Sequence, residues 1–252
     1  MIPSGTDTPK ESMRWATLRP ALANVSLAMV FLSILAGYGL TALVWSRLPG
    51  YGDFLKFHVA AQEFVQGGDI YRPIPIADFI DSDSISIGAR EHFHPNLNPP
   101  FQTLLVAPLG LLDYRTAFMV WSLLALASGA VGAFLVGANI PGGEDRFRSG
   151  LIWAIVLFVY FPSLVSVQFG QWSLFPFFLL VLAWLSWRKG RMLTAGGVLG
   201  GLAAVKLFFG AFFLLFLARR RWKAAVSFVV VWIACTGASA AVVGVDALFQ
   251  YR

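Results

Sequence analysis

The stretch that decides the fold runs from residue 21 to residue 45 and reads ALANVSLAMVFLSILAGYGLTALVW. These 25 residues carry no charged side chain. A helix of this length would measure about 38 Å, which exceeds the roughly 30 Å hydrocarbon core of a bilayer. Because no convincing small-residue cleavage site follows, we interpret it as a retained membrane span and not as a signal peptide.

Composition extends this interpretation to the whole chain. Of its 252 residues 58% are hydrophobic and only 13% are charged, and the mean hydropathy is +0.71. A soluble domain of this size would need far more charged residues to cover its surface. The net charge of +6 is gathered at the ends of apolar blocks, which indicates membrane topology and not a nucleic-acid-binding face. The single cysteine, Cys235, excludes an intrachain disulfide.

The order of apolar blocks predicts an all-α, polytopic membrane protein of about seven transmembrane helices. A cytoplasmic tail (1–20) precedes a membrane module (21–252) that includes an external loop (46–98), and the carboxyl end is external. In this arrangement 12 of the 19 Lys and Arg residues are cytoplasmic. Residues 99–112 are too short to span and are predicted to be re-entrant or interfacial. The predicted crossings are residues 21–45, 116–138, 150–167, 172–187, 192–205, 207–218 and 224–245.

Two of these crossings are inferred from charge. Basic clusters at 188–191 and 219–223 should both be cytoplasmic, and a single span between them would break the positive-inside rule. We therefore predict a hairpin of two short helices with Lys206 near its outer turn. Four glycines on the first arm would allow close helix packing, namely Gly196, Gly197, Gly200 and Gly201.

An amphipathic helix begins just after the first span, at Asp53, the only carboxylate between Glu11 and Glu63. Apolar residues at spacings of three and four place one stripe on this external helix. Asp53 has two interpretations: a helix cap that satisfies free backbone N–H groups, or a catalytic base at the membrane edge.

The predicted topology gathers several chemical groups on the external side. They are Asp53, His58, Glu63, His92, His94, Gln168, Gln171 and Lys206. An ionisable residue in a membrane-depth segment is costly and is a functional candidate, so Lys206 is of interest; the alternative is a side chain that reaches the interface.

The sequence gives little support for a metal-binding site. His92 and His94 alternate in an extended manner, but no third ligand is spaced to join them. Asp81 and Asp83 form a bare Asp-x-Asp in a Ser-rich polar stretch, where acids are usually solvated. No phosphate-binding glycine loop, serine-hydrolase elbow or zinc-protease signature occurs in the sequence. We expect no cofactor and no metal.

Taken in order, these segments resemble the polyprenol-phosphate-sugar-dependent glycosyltransferases of the GT-C class, family 87. The resemblance spans about residues 50 to 245. Its motifs are Gly52-Asp53-Phe54, Gly67-Gly68-Asp69-Ile70-Tyr71, Asn98-Pro99-Pro100-Phe101, Phe169-Gly170-Gln171, Ala203-Ala204-Val205-Lys206 and Arg219-Arg220-Arg221-Trp222.

The resemblance implies a function and roles for residues. Such enzymes transfer a sugar, often mannose, from a lipid phosphate carrier to a lipid or glycan acceptor at the non-cytoplasmic face, with inversion. Asp53 would be the general base. Lys206, with His92 or His94, would bind the donor phosphate, and Gln171 and His58 would contact substrate. A phosphate monoester as leaving group makes a metal less necessary.

Family members usually continue for several more spans. The resemblance therefore leaves three interpretations: a truncated product, half of a split enzyme completed by a second polypeptide, or a minimal relative. The alternative function is a non-catalytic membrane module that binds lipid or a partner subunit. A transporter is less favoured, because the sequence shows no inverted repeat and its polar groups lie on one side.

Overall fold

The computed structural model describes residues 9–48, 52–71, 96–141 and 145–250. Every regular element in these ranges is helical, which confirms the predicted all-α class. Two short 3-10 helices, Ala107–Leu111 and Leu207–Gly210, accompany the α-helices. The α-helices of the described ranges are α1 (Pro9–Trp45), α2 (Phe54–Gln66), α3 (Pro100–Val106), α4 (Tyr114–Asn139), α5 (Arg146–Val159), α6 (Phe161–Gln168), α7 (Leu174–Arg188), α8 (Met192–Val205), α9 (Ala211–Ala218), α10 (Trp222–Val243) and α11 (Asp246–Gln250).

Within the described residues, three helices are long and apolar enough to cross a membrane: the Pro20–Trp45 part of α1, α4 and α10. The pair of α5 and α6 adds a fourth crossing if it is counted as one span. Large apolar side chains on α1 and α10, such as Met29 and Val230, are exposed, as expected of surfaces that face lipid. The protein is thus a multi-pass membrane protein. The other apolar helices are shorter, and the count of seven crossings stays a prediction.

A bend of 65° separates α5 from α6, within what the sequence predicts as one crossing. Pro162 explains the bend, because it has no N–H to donate to the carbonyl of Phe158 four residues earlier. The Tyr38 hydroxyl donates to that carbonyl instead, at 2.8 Å. The Ser163 hydroxyl donates to the carbonyl of Leu157 at 2.7 Å. Both carbonyls at the bend are therefore satisfied, as an apolar environment requires.

The helical structure is interrupted at Lys206, where the two basic clusters predicted a break between two short helices. Lys206 is extended, with φ −143° and ψ 114°, and the arm that follows packs back through Phe209 and Phe216 into a core shared with α7, α8 and α10. Close contact between α8 and α10 depends on Gly196 and Gly200, where an added Cβ would overlap the backbone of α10. The break therefore brings a charged residue to the end of a tightly packed helix pair.

Helix α2 is held by an aromatic cluster. Phe54 is fully buried, and its ring centroid lies 5.5 Å from that of Phe118 and 5.4 Å from that of Trp121, both on α4. Aromatic pairs of this kind each contribute about 0.5–1.5 kcal/mol beyond area burial. The other side of α2 packs on the 3-10 helix Ala107–Leu111, where a Cβ at Gly110 would come within 2.6 Å of the backbone of Ala61. The first turn of α2 consequently has a defined position.

Candidate functional site

A cavity of about 520 Å³ lies where three segments meet: the start of α2, the loop between α6 and α7, and the break at Lys206. This volume is typical of small-molecule sites. The cavity combines charged and amide groups with an aromatic wall. Its lining residues are Asp53, Lys56, Phe57, Gln171, Trp172, Ser173, Pro176, Phe177, Leu180, Lys206, Phe208 and Phe209.

The carboxylate of Asp53 is directed to its neighbours in this cavity and not to its own helix. Asp53 occupies the N-cap position of α2 but makes no side-chain cap hydrogen bond. The ammonium of Lys56 lies 2.7 Å from Oδ1, and the amide of Gln171 donates to Oδ2 at 3.3 Å. By contrast, Asp113 and Asp145 at the starts of α4 and α5 each accept a backbone N–H. The capping interpretation therefore does not describe Asp53.

The loop that carries Gln171 is shaped by the end of α6. The N–H of Gln171 donates to the carbonyl of Ser166 at 2.8 Å, and the N–H of Gly170 donates to Val167 at 3.2 Å. This pattern is a Schellman motif, and Gly170 takes the left-handed conformation that the motif needs, with φ 61°. The indole N–H of Trp121 donates to the carbonyl of Gly170 at 2.9 Å. The sequence Phe169-Gly170-Gln171 thus forms a fixed turn.

This turn and the start of α2 touch through their backbones. The N–H of Phe54 donates to the carbonyl of Phe169 at 3.1 Å. A Cβ at Gly170 would lie 2.5 Å from the Cβ of Phe54, and a Cβ at Gly52 would lie 3.1 Å from the carbonyl oxygen of Phe169. Two motifs that are far apart in sequence therefore hold Asp53 and Gln171 together.

Replacement of Gly170 by Ala should separate these two motifs. The new Cβ would meet Phe54 at 2.5 Å, and Ala would also have to hold φ 61°. We expect a loss of about 2–4 kcal/mol in the free energy of unfolding and at least a tenfold loss of activity, because Asp53 and Gln171 would shift. Thermal unfolding in detergent and an activity assay would measure the two effects.

The matched control for this prediction is Gly190→Ala. Gly190 ends α7 in the same type of motif, with φ 71°, but nothing lies within 4 Å of an added Cβ. This control isolates the cost of the backbone conformation, roughly 1–2 kcal/mol. Equal effects of the two substitutions would show that contact with Phe54 is unimportant.

Lys206 and Lys56 give the cavity a positive balance. Together with Asp53 they amount to two cationic groups and one anionic group among the residues that line it. The charges of Lys56 and Asp53 both act on Lys206, which is only partly exposed. A cavity with low-dielectric walls and an excess of cations favours an anionic ligand.

His58 was predicted to contact substrate, but the structure does not bring it to this cavity. It is 2% exposed, and its Nε2 donates to the carbonyl of Leu112 at 3.0 Å. The ring packs between those of Phe54 and Tyr114. Burial lowers the pKa of His58, and the hydrogen bond to Leu112 acts in the opposite direction. His58 joins α2 to the segment before α4, which is a packing role.

The other predicted residues divide into two groups. Asp53, Gln171 and Lys206, which the predicted topology put on one side of the membrane, line one cavity. His92 and His94 lie outside the described residues, and so do Asp81 and Asp83.

Several cavity residues were not predicted as site residues. The most important is Lys56, whose position three residues after Asp53 on a helix was a usable signal. The aromatic wall, including Trp172 and Phe208, had no distinguishing pattern in a sequence this rich in aromatic residues.

Two apolar grooves adjoin the cavity. Leu180 lines both the cavity and a groove of about 240 Å³ between α7, α8 and α9. Phe177 likewise lines a groove of about 610 Å³ bordered by α4 and α5. A ligand with a charged head and an apolar tail would match this combination.

Comparison with known proteins identifies the family. Residues 96–251 match the model of glycosyltransferase family 87. The match covers more than half of the chain, and the chain belongs to glycosyltransferase family 87. The matched region includes Gln171 and Lys206, and it begins after Asp53 and Lys56.

Two similar proteins share a descriptive name: polyprenol-phosphate-mannose-dependent alpha-(1-2)-phosphatidylinositol pentamannoside mannosyltransferase. The one from Mycolicibacterium smegmatis is 28% identical over 248 residues, which cover 96% of this chain and 54% of that protein. The one from Mycobacterium tuberculosis is 24% identical over 256 residues, with 99% and 55% coverage. The chain therefore spans about half the length of these relatives. No solved structure matches it.

Proposed function

We propose that the protein is an inverting mannosyltransferase that takes mannose from a polyprenyl-phosphate carrier and attaches it to a lipid or glycan acceptor. The observation that carries this proposal is the cavity shared by the Asp53 carboxylate and the Lys206 ammonium. Family membership supports it and does not favour a non-catalytic membrane module. The names of the relatives make a phosphatidylinositol mannoside the first acceptor to test.

The proposed reaction uses these two groups at opposite ends of one displacement. A hydroxyl oxygen of the acceptor forms a bond to the anomeric carbon of mannose, and its proton passes to Asp53. The bond between the anomeric carbon and the phosphate oxygen breaks, and its electron pair leaves with the phosphate. Lys206 offsets the charge that grows on that phosphate. The amide of Gln171 positions the Asp53 carboxylate.

The apolar surroundings support a lipid-linked donor. The polar groups of the cavity gather around Asp53 and Lys206, while Phe177 and Leu180 lead into apolar grooves. We place the phosphate and the sugar in the cavity, and the start of the polyprenyl tail along this aromatic wall. Aromatic faces also suit the C–H surfaces of a sugar ring.

We propose that no divalent metal takes part. A monophosphate leaving group carries less charge than a nucleoside diphosphate, and Lys206 and Lys56 supply two cations beside it. We also propose that a second polypeptide can complete the protein, because the relatives are about twice as long as the matched region.

A reconstituted assay tests this function. The chain is placed in liposomes, alone and together with a polypeptide carrying the remaining part of a relative. Labelled polyprenyl-phosphate mannose and phosphatidylinositol mannosides are then added. Labelled product is expected, and its rate should not change when EDTA is present. Absence of product in both preparations would contradict the proposed function, whereas loss of product only with EDTA would contradict the proposal on metal.

We propose that the cavity faces the external side of the cell membrane, with the amino end cytoplasmic and the carboxyl end external. The variant Lys206→Cys, in a Cys235→Ser background, should react with an impermeant thiol reagent added to intact cells. Arg188→Cys and Arg191→Cys should not react. Arg188 is the last residue of α7 and Arg191 follows shortly after it, about 22 Å from the start of α7 near the cavity. Labelling of residue 188 or 191 from outside would contradict this orientation.

A further inference from the structure

Lys56 is the ion-pair partner of Asp53 among the described residues. Its Nζ lies 2.7 Å from Asp53 Oδ1 and 5.4 Å from the centre of the Phe57 ring. The side chain of Lys56 is 21% exposed and that of Asp53 is 38% exposed, so the pair lies in the cavity wall and is partly open to it. With Gln171 on Oδ2, both oxygens of Asp53 have a partner.

This arrangement poses a problem for a general base. An acceptor hydroxyl must approach an oxygen of Asp53 within hydrogen-bond distance, and Lys56 already takes one of the acceptor positions of Oδ1 and competes for that oxygen. A lysine ammonium is a compact charge on a flexible four-carbon chain and has three donors. It can therefore exchange one oxygen partner for another with little movement of the helix.

We propose that Lys56 is shared between Asp53 and the donor phosphate, an inference that rests on the proposed function. While the cavity holds no anion, Lys56 pairs with Asp53. When the donor binds, its phosphate draws the ammonium of Lys56 towards Lys206, and Oδ1 of Asp53 becomes free for the acceptor hydroxyl. Donor binding thus prepares the base, and the donor binds before the acceptor.

The charges in the cavity support this exchange. Lys56 and Lys206 line the same cavity, so their two ammonium groups repel each other across it. A phosphate between them would offset both charges, whereas Asp53 contacts only Lys56 among the described ion pairs.

A double-mutant cycle on ligand binding tests the exchange. The ligand is a short-chain polyprenyl phosphate, with the uncharged polyprenol as reference, and binding is measured on the full chain in nanodiscs. Asp53→Asn should tighten phosphate binding about 3- to 10-fold, because it releases Lys56. Lys56→Gln should weaken binding about tenfold. In the Lys56→Gln background, Asp53→Asn should gain less than twofold.

Two further variants separate this mechanism from simpler ones. Lys206→Gln should weaken binding but keep the gain from Asp53→Asn, since Lys56 is still present. Lys223→Gln, at an exposed position at the start of α10, should leave binding unchanged. A gain from Asp53→Asn that persists without Lys56 would reflect repulsion by Asp53 alone and would overturn the inference. Wild-type protein that binds polyprenyl phosphate no better than polyprenol would overturn the proposed function as well.

Discussion

Asp53→Asn is expected to remove nearly all sugar transfer while leaving the fold intact. The amide keeps the shape of the carboxylate and can still accept a hydrogen bond from Gln171, but it cannot take the proton of the acceptor. General-base catalysis contributes about 10²- to 10⁴-fold, and the rate should fall by that factor. Because Asp53 does not cap α2, the substitution removes no helix-capping bond. Initial rates of mannose transfer, compared at equal amounts of membrane-inserted protein, measure the effect.

Glu63→Gln is the matched control for this prediction. Glu63 lies on the same helix, changes from a carboxylate to an amide in the same way, and is not among the residues that line the cavity. Its transfer rate should stay within about twofold of wild type, as is usual for substitutions away from a site. A wild-type rate in Asp53→Asn would remove Asp53 from the mechanism, and an equal loss in Glu63→Gln would point to a general effect of charge on α2.

The membrane helices were the most predictable part of the fold. Long uncharged blocks have few alternatives to spanning, and α4 lies within two residues of its predicted bounds. The break at Lys206 also followed from sequence, because the positive-inside rule restricts where basic clusters can lie. The bend at Pro162 was not predicted. Proline is tolerated within transmembrane helices, and whether it bends them depends on partners such as Tyr38, which is more than 100 residues away in the sequence.

The site was predictable where topology alone brings residues together. The predicted topology puts Asp53, Gln171 and Lys206 on one side of the membrane, and the structure places all three around one cavity. His58 was predicted to contact substrate because the topology puts it on the same side as Asp53, but the side of the membrane does not determine which face of α2 a residue occupies. Its spacing of four residues from Phe54 puts it on the apolar stripe of α2, and the structure buries it there.

The contacts that build the site could not be predicted from composition or periodicity. The Phe54 N–H bond to Phe169 joins segments 115 residues apart, and such pairing depends on how α2 docks on α4. In the sequence Gly170 belongs to the Phe169-Gly170-Gln171 motif, but the motif alone does not show why a glycine is needed there. The structure shows why a glycine is required: the residue has a left-handed conformation, and Phe54 leaves no room for a Cβ.

Gly196→Ala and Gly200→Ala are each expected to destabilise the fold strongly. A Cβ at Gly196 would overlap the carbonyl oxygen of Ala224, and one at Gly200 would overlap that of Phe228. Because the obstacles are backbone atoms, no side-chain movement can relieve them, and α8 must move away from α10. We expect a loss of about 3 kcal/mol for each substitution, and a lower transfer rate because Lys206 follows directly on α8. Thermal unfolding in detergent measures the loss.

Gly197 and Gly201 provide matched controls on the same helix, one residue further along. An added Cβ would lie 3.3 Å from the hydroxyl oxygen of Ser227 at Gly197, and 3.9 Å from a methyl group of Val231 at Gly201. Those neighbours are side-chain atoms that can adjust, and alanine favours a helix over glycine by up to about 1 kcal/mol. Gly197→Ala and Gly201→Ala should therefore unfold at or above the wild-type temperature. If all four substitutions had the same effect, the contact of α8 with α10 would not depend on these particular glycines, and the position of Lys206 would need another explanation.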